Sequence, residues 1–370
     1  MGLVATQGGA RRAPLWAIAA AALLSVVGVT RSETLRQTGA KHPVKGRSSG
    51  RSAASQTDRG RGASTPAEIP AKGWKDVALR IYKGISEDRI LALAAGVTFY
   101  VLLALFPGIA GLIALYGFYA DASTISQHLN TLAGIMPEGG LQIIREQIER
   151  LAAQPAQRLG FATIIGLGVS LWSANGGMKA MFDALNVIYQ EKEERSFIRL
   201  NAISLAFTLG SLVFVLIALA AMTILPVVLS YFDLSRVMEL FIKIGRWPVL
   251  LLVVSLAIAL IYRFGPSRDR AMWRWITPGS AFAALAWLCL SLLFSWYTAN
   301  FGSYNETYGS LGAVIGFMTW LWLSTIVILV GAKLNAEAEH QTARDSTVGR
   351  SEPPGSRGAE MADTIGPSQG

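Results

Sequence analysis

The ionisable chemistry of this chain is sparse and centres on one apolar run. Between residues 171 and 189 the sequence LWSANGGMKAMFDALNVIY sets Lys179 and Asp183 four residues apart, where a cation and a carboxylate on one helix face can pair. A carboxylate facing a bundle interior is costly and usually marks an ion, proton or substrate path, whereas at a membrane interface the same pair is an ordinary surface contact. Ser173 and Asn175 lie deeper, and either line a polar path or hydrogen-bond across helices. A second polar group, Asn300, Ser303, Tyr304, Asn305, Glu306 and Tyr308, crowds a short loop between glycines. It reads either as an external gate or recognition site or as a tight re-entry turn. Tyr100, Pro107, Ser173, Asn175, Gly176, Asp183, Asn300, Tyr304, Asn305 and Tyr308 are the candidate path or gate residues.

Hydrolysis of RNA needs paired acids and bases or metal ligands at close spacing. The three histidines, His42, His128 and His340, fall instead in a basic linker, an external loop and a C-terminal tail, with no clustered carboxylates beside them. A P-loop and an HExxH pair are also missing from the sequence. The single cysteine, Cys289, lies in an apolar run, excludes an intramolecular disulfide and gives no metal-ligand spacing. It is expected to be an inert core residue. No enzyme activity, cofactor or metal is expected.

The Lys179–Asp183 pair must be positioned by apolar elements. Long apolar runs recur at 89–118, 161–189, 201–230, 248–264 and 276–298, and a sixth follows the 300–309 loop, each near the length that crosses a bilayer. Hydrophobic residues make up 52% of the 370 and charged residues only 15%, with a mean hydropathy of +0.41, which excludes an ordinary soluble domain. The expected fold is all-α, a polytopic membrane bundle of six core transmembrane helices over 73–340 with interfacial amphipathic helices. Residues 1–30 form either an extra N-terminal transmembrane or signal-like helix or a dispensable segment, since the 13–29 run is short and follows Arg11 and Arg12.

Charge sets the expected orientation. The loops 190–200 and 263–275 carry Lys192, Arg195, Arg199, Arg263, Arg268, Arg270 and Arg274, so the positive-inside rule places them, and both core termini, in the cytoplasm. Residues 31–72 hold nine Lys/Arg against three acidic residues without apolar periodicity, and are expected to be a disordered basic linker that rests on anionic lipid. Residues 341–370 are expected to be a disordered cytoplasmic tail.

Trp74, Val77, Ala78, Ile81, Tyr82 and Ile85 recur at helical spacing opposite Lys75, Asp76, Arg80 and Lys83, which describes a helix lying in the interface. Leu141, Ile144, Ile148 and Leu151, and separately Leu234, Val237, Leu240, Phe241 and Ile244, form similar stripes outside. These either cap a vestibule or pack on the bundle rim. Pro107 removes a backbone donor in mid-span and is expected to kink its helix. The run 161–189 would be about 43 Å long as a helix, well beyond a hydrocarbon core of about 30 Å, with Gly176 and Gly177 as the expected flex point. Gly312 and Gly316 form a GxxxG pair suited to close packing within the bundle or to a homo-oligomer.

Four ordered blocks resemble the YihY/BrkB family of inner-membrane proteins, once labelled ribonuclease BN. They are AAGVTFYVLLALFPG (94–108), LWSANGGMKAMFDALNVIY (171–189), YRFGP (262–266) with WRWITPG (273–279), and NFGSYNETYGSLGAVI (300–315), and the likeness covers about 74–337. The resemblance implies a six-helix protein of the bacterial inner membrane, multi-pass, with both core termini cytoplasmic. It implies little chemistry.

The expected function is transport, or a flippase-like movement, of a small solute or lipid-like molecule in the cell envelope, supported by Pro107, Pro266 and Pro278, the glycine hinges and the intramembrane polar groups. The alternative is a non-transporting scaffold for envelope assembly. Arg158, Arg246 and Arg263 are candidates to meet lipid headgroups or to act as interfacial anchors. Membrane lipids and an unidentified solute or lipid are the expected partners; nucleic acid is not.

Overall fold

The computed structural model describes residues 58–116, 145, 161–230, 236–301 and 310–369. A short 3-10 turn at Pro66–Glu68 leads into α1 (Ala71–Glu87), followed by the long helices α2 (Ile90–Tyr116), α3 (Phe161–Ile188), α4 (Phe197–Ser230), α5 (Arg236–Phe264), α6 (Trp273–Phe301) and α7 (Ser310–Glu339). A single turn, α8 (Glu360–Asp363), lies in the C-terminal tail. Helices are what an apolar chain must form in lipid, where only an internally bonded backbone avoids unsatisfied N–H and C=O groups.

Among the described residues, five helices hold a stretch long and apolar enough to span: Ile90–Ile109, Phe197–Ile217, Trp247–Phe264, Trp273–Thr298 and Val314–Glu339. The sixth long helix, α3, carries Ser173, Asn175, Lys179 and Asp183 from its middle onward. Ile217, Val249, Leu252 and Leu293 point outward at 62–68% exposure, the inside-out pattern of a bundle whose solvent is hydrocarbon. Cys289 also faces outward, so it is not the core residue the sequence suggested.

α2 packs most extensively on α3 and α6 on α7, while α7 also touches α1, α2, α3 and α8. The core lies toward the end of the bundle that carries α1 and residues 340–369, called the tail end below. Ile90, Ala94, Leu185, Ile188, Tyr262, Ile276, Leu329 and Ala332 meet there with Met361 of the tail. Small residues set the closest approach. A Cβ on Gly331 of α7 would lie 2.6 Å from the Tyr262 hydroxyl and 2.7 Å from the Gly279 carbonyl oxygen. Asn335 fastens the same seam. Its Oδ1 accepts the Gly279 N–H at 2.7 Å and its Nδ2 donates to the Ile276 carbonyl at 2.9 Å, next to Pro278, which has no N–H of its own.

Several expectations need correction. Residues 58–72 and 341–369, read as disordered, fold into a layer across the tail end. Ala271 and Thr347 form an antiparallel bridge, Met361 is fully buried, and Gln341 donates to the Arg59 carbonyl at 2.8 Å. Composition misled because this layer is held by backbone hydrogen bonds and buried polar side chains, not by apolar periodicity. In α1 the inward face is Gly73, Asp76, Val77, Arg80 and Gly84, so Asp76 and Arg80, assigned to the solvated side, are buried, while Tyr82 is exposed. The stripe 237–244 is no separate helix; it begins α5. α3 runs unbroken through Gly176 and Gly177, and Gly177 serves close packing, since its Cβ would sit 3.3 Å from the Val101 Cα of α2. α2 holds Pro107 inside its helical span, as a kinked helix also does. Gly316 faces open space, and the close glycine approach between α6 and α7 is at Gly279 and Gly331 instead. Residues 1–30 and 31–57 and the stripe 141–151, apart from Arg145, lie outside the described residues.

Gly331→Ala should destabilise the protein by about 1–3 kcal/mol through overpacking, read as a lowered unfolding temperature in detergent, while Gly316→Ala should leave it unchanged. Equal melting of the two variants would refute the close α6–α7 approach.

Candidate functional site

Two polar constellations stand inside this otherwise apolar frame. The first lies between α3 and α4. α4 places Asn201, Ser204 and Thr208 three and four residues apart, the spacing of one helix face, and all three are buried. Lys179 of α3 donates to Asn201 Oδ1 at 2.9 Å, and Asn201 Nδ2 donates to the Phe197 carbonyl at 2.8 Å. Two turns on along α4, Thr208 Oγ1 donates to the Ser204 carbonyl at 2.9 Å and lies 3.4 Å from Asn175 Oδ1. Asn175 is wholly buried and its Nδ2 has no protein acceptor. It stands 13 residues before the end of α3, about 20 Å along the helix axis. At the rim Lys179 Nζ sits 4.9 Å from the Trp172 ring centroid, a cation–π contact.

This seam takes in one of the sequence candidates and leaves the others apart. Asn175 is in it; Gly176 is half-buried beside it; Ser173 and Asp183 are exposed. Lys179 turns to Asn201 and not to Asp183, because the buried amide oxygen across the interface offers it a partner. Tyr100 is exposed on α2, edge-on to Phe99, and Pro107 is half-buried. Asn300 is exposed and donates to the Trp296 carbonyl one turn back. Tyr304, Asn305 and Tyr308 lie outside the described residues. Asn201, Ser204 and Thr208 were overlooked in the sequence, although polar residues at helical spacing in an apolar run are the signal that finds such a seam.

The second constellation is a buried charge cluster on the last turns of α7. Glu337 receives Arg80 Nε at 2.6 Å and Lys333 Nζ at 3.1 Å, and Lys333 also meets Asp88 Oδ2 at 2.7 Å. Glu339, fully buried, takes Arg268 at 2.6 Å and the Ser346 hydroxyl at 2.8 Å. Arg268 lies over the Tyr189 ring, 4.9 Å from its centroid. Burial and the charge of Glu339 push the Tyr189 hydroxyl above its ordinary pKa. Burial would weaken the Arg268 cation, but Glu339 more than offsets this and raises its pKa. Burial also raises Glu191, whose carboxylate accepts the Glu360 N–H of the tail at 2.9 Å. Asp76 is buried, which acts to raise it, yet hydrogen bonds from Arg59 and the Gln369 N–H hold it below its usual value.

A third set ties the α3–α4 loop to the α5–α6 loop. Asn186 accepts the Ser267 N–H at 2.7 Å and donates to Glu193 at 3.0 Å, while Arg195 bonds both Glu193 and the Gly265 carbonyl. Burial raises the Glu193 carboxyl, but the Arg195 and Asn186 hydrogen bonds prevail and bring it from 4.5 to about 2. Among the described residues no three His, Cys, Asp or Glu side chains gather as a metal-holding group. The acids of the cluster are engaged by arginine and lysine.

Because the folded Glu193 pKa lies below its unfolded one, its contribution to stability is complete above about pH 4.5 and is lost as pH falls toward 2. Glu193→Gln should flatten that part of the acid-side decline in unfolding temperature; an unchanged profile would refute the assignment. Arg268→Met, which strands Glu339, should cost about 3–5 kcal/mol, and adding Glu339→Leu should restore much of it. Urea titration of the two variants reads this out, and additive losses would contradict a buried pair.

Comparison with known proteins agrees with this architecture. A family model described as virulence factor BrkB matches residues 81–355. A ribonuclease-like protein, YfkH, of Bacillus subtilis is 31% identical over 252 residues, covering 66% of this chain and 88% of that protein. A UPF0761 membrane protein of Alkalilimnicola ehrlichii is 27% identical, covering 79% of this chain and 65% of its own length. Another, of Haemophilus influenzae, is 22% identical over 70% of this chain and 94% of its own length. The chain spans 56–65% of the length of several of these curated relatives. No solved structure matches. With three-quarters of its length under the family model and its helices long and apolar enough to span, the chain belongs to the BrkB family of membrane proteins.

Proposed function

We propose that this chain is a transporter or flippase-like protein that moves a small solute or an amphipathic, lipid-like molecule across a bacterial inner membrane along the α3–α4 seam. The observation that carries this is the wholly buried Asn175, whose amide donor lacks an acceptor at the inner end of a polar ladder that starts at Lys179. An unpaired donor among apolar helices costs roughly 1–3 kcal/mol, so its retention suits a group kept for a passing ligand. The void lined by Trp247, Val254, Ala284 and Trp287 between α5 and α6 is only about 10 Å³ and apolar. It has room for about one water and no polar partners to hold it, which favours the polar seam as the path.

The tail end is cytoplasmic in this proposal, because Arg195, Arg199, Arg268, Arg270 and Arg274 cluster there. Nuclease chemistry is not part of it: His340 Nδ1 lies 3.6 Å from Glu337, but that carboxylate is held by Arg80 and Lys333, and Glu339 is held by Arg268. A non-transporting scaffold is the second reading, favoured by one observation: residues 58–72 and 341–369 are folded into a layer that presents Val348 and Ile365 outward.

Flux of lipids and small solutes in proteoliposomes of the full chain tests both. Asn175→Leu and Lys179→Met should each lower flux about tenfold, the effect of roughly 1.4 kcal/mol at the barrier, whereas Ser211→Ala, on the exposed face of α4, should not. Folded protein that gives no flux above empty liposomes with any lipid or ion tried would refute transport and leave the scaffold.

A further inference from the structure

We propose that Arg263 and Arg270 form a phosphate-binding site at the tail end of α5, one that takes the phosphate of an anionic lipid headgroup. Arg263 closes the apolar stretch Trp247–Phe264, and Trp273 opens the next one, Trp273–Thr298. The Arg263 guanidinium carbon lies 4.4 Å from the Trp273 ring centroid and 5.7 Å from that of Phe264. Arg270 stands 5.1 Å from the same Phe264 ring, so two guanidinium groups flank one aromatic side chain and act on each other as like charges.

Of the other charges of this loop, Arg268 is held in an ion pair, while Asp269 and Arg274 are exposed. Arg268 is committed to Glu339, and the Asp269 carboxylate lies against Gly358 of the tail. Among the described residues no carboxylate pairs with Arg263 or Arg270. Arg263 Nε and Nη1 are nonetheless shielded from solvent and have no protein acceptor. The guanidinium of Arg263 is a rigid planar fork of N–H donors suited to phosphate oxygens, and a second arginine beside it supplies the remaining charge. Stacking on Trp273 and Phe264 holds the fork in place. The depth agrees as well: the site lies where two apolar stretches end, beside a tryptophan that is 44% exposed, which is where phospholipid phosphates sit. The site is separate from the α3–α4 seam, and binding there is measured without transport.

The test is titration of the full-length, delipidated protein in detergent with phosphatidylglycerol, phosphatidylcholine and inorganic phosphate, read by native mass spectrometry and by thermal shift. Wild-type protein is expected to bind phosphatidylglycerol saturably and in preference to phosphatidylcholine. Arg263→Gln and Arg270→Gln should each weaken that binding roughly tenfold or more, the loss of charge-assisted hydrogen bonds. Arg263→Lys, which keeps the charge but not the fork, should weaken it less. Arg274→Gln, an exposed arginine nearby, should bind as wild type. Inorganic phosphate that binds equally well and is lost in the same variants would support the phosphate site and assign it to the free anion. Wild-type binding in Arg263→Gln and Arg270→Gln, or an equal loss in Arg274→Gln, would overturn the proposal in favour of diffuse attraction to a basic surface.

Discussion

Burying carboxylates in a medium of low dielectric is the constraint on which the tail end depends. Glu337 and Glu339 are two residues apart and almost wholly enclosed, and an isolated ionised carboxylate there would be prohibitively costly. Each must therefore recruit a cation. Glu337 draws in Arg80 from α1 and shares Lys333, which fixes Asp88 at the turn into α2; Glu339 draws in Arg268 from the α5–α6 loop. The last turns of α7 thus act as a hub whose electrostatic requirements decide where α1, two loops and the tail come to rest. Hydrophobic packing follows in the same place, with Met361 of the tail completing a core otherwise made by the helices.

A different balance governs the contacts between the long helices. These depend on small residues such as Gly177, Gly279 and Gly331 and on hydroxyl and amide groups that bond across helices. The α3–α4 seam is the polar exception, and it is concentrated on one pair of helices while α6 and α7 meet through glycine, tryptophan and serine. Trp287 and Trp320 donate to Ser324 and Ser291 across that second interface.

Much of the membrane domain was legible in the sequence because hydropathy over about 20 residues is a strong signal and lipid permits a helix as the answer. The four sequence blocks likewise pointed to the family. What escaped was polar order. Asp76 and Arg80 carry charges that an amphipathic pattern assigns to water, yet each has a partner distant in sequence. The tail has no periodicity to read, since its anchors are scattered: Arg357 donates to the carbonyls of Ala343, Glu352 and Ala362, which no local rule foresees. The seam was half legible. Asn175 stood out as a polar residue in an apolar run, but Lys179 was matched to the nearest acid in sequence, Asp183, when the partner was Asn201 across the helix interface.

The fastening of the tail has a consequence for the order in which the protein can be made. Asp76 waits for the Gln369 N–H, 293 residues further along the chain, and Arg61 for the Gly366 carbonyl, 305 residues on. At roughly 5–20 residues per second, synthesis of that interval takes about 15–60 s. Through this period α1 and the segment before it are already outside the ribosome while the groups that complete their hydrogen bonds do not yet exist. The membrane helices can insert one after another, but the layer across their tail end closes only once residues 366–369 have been made.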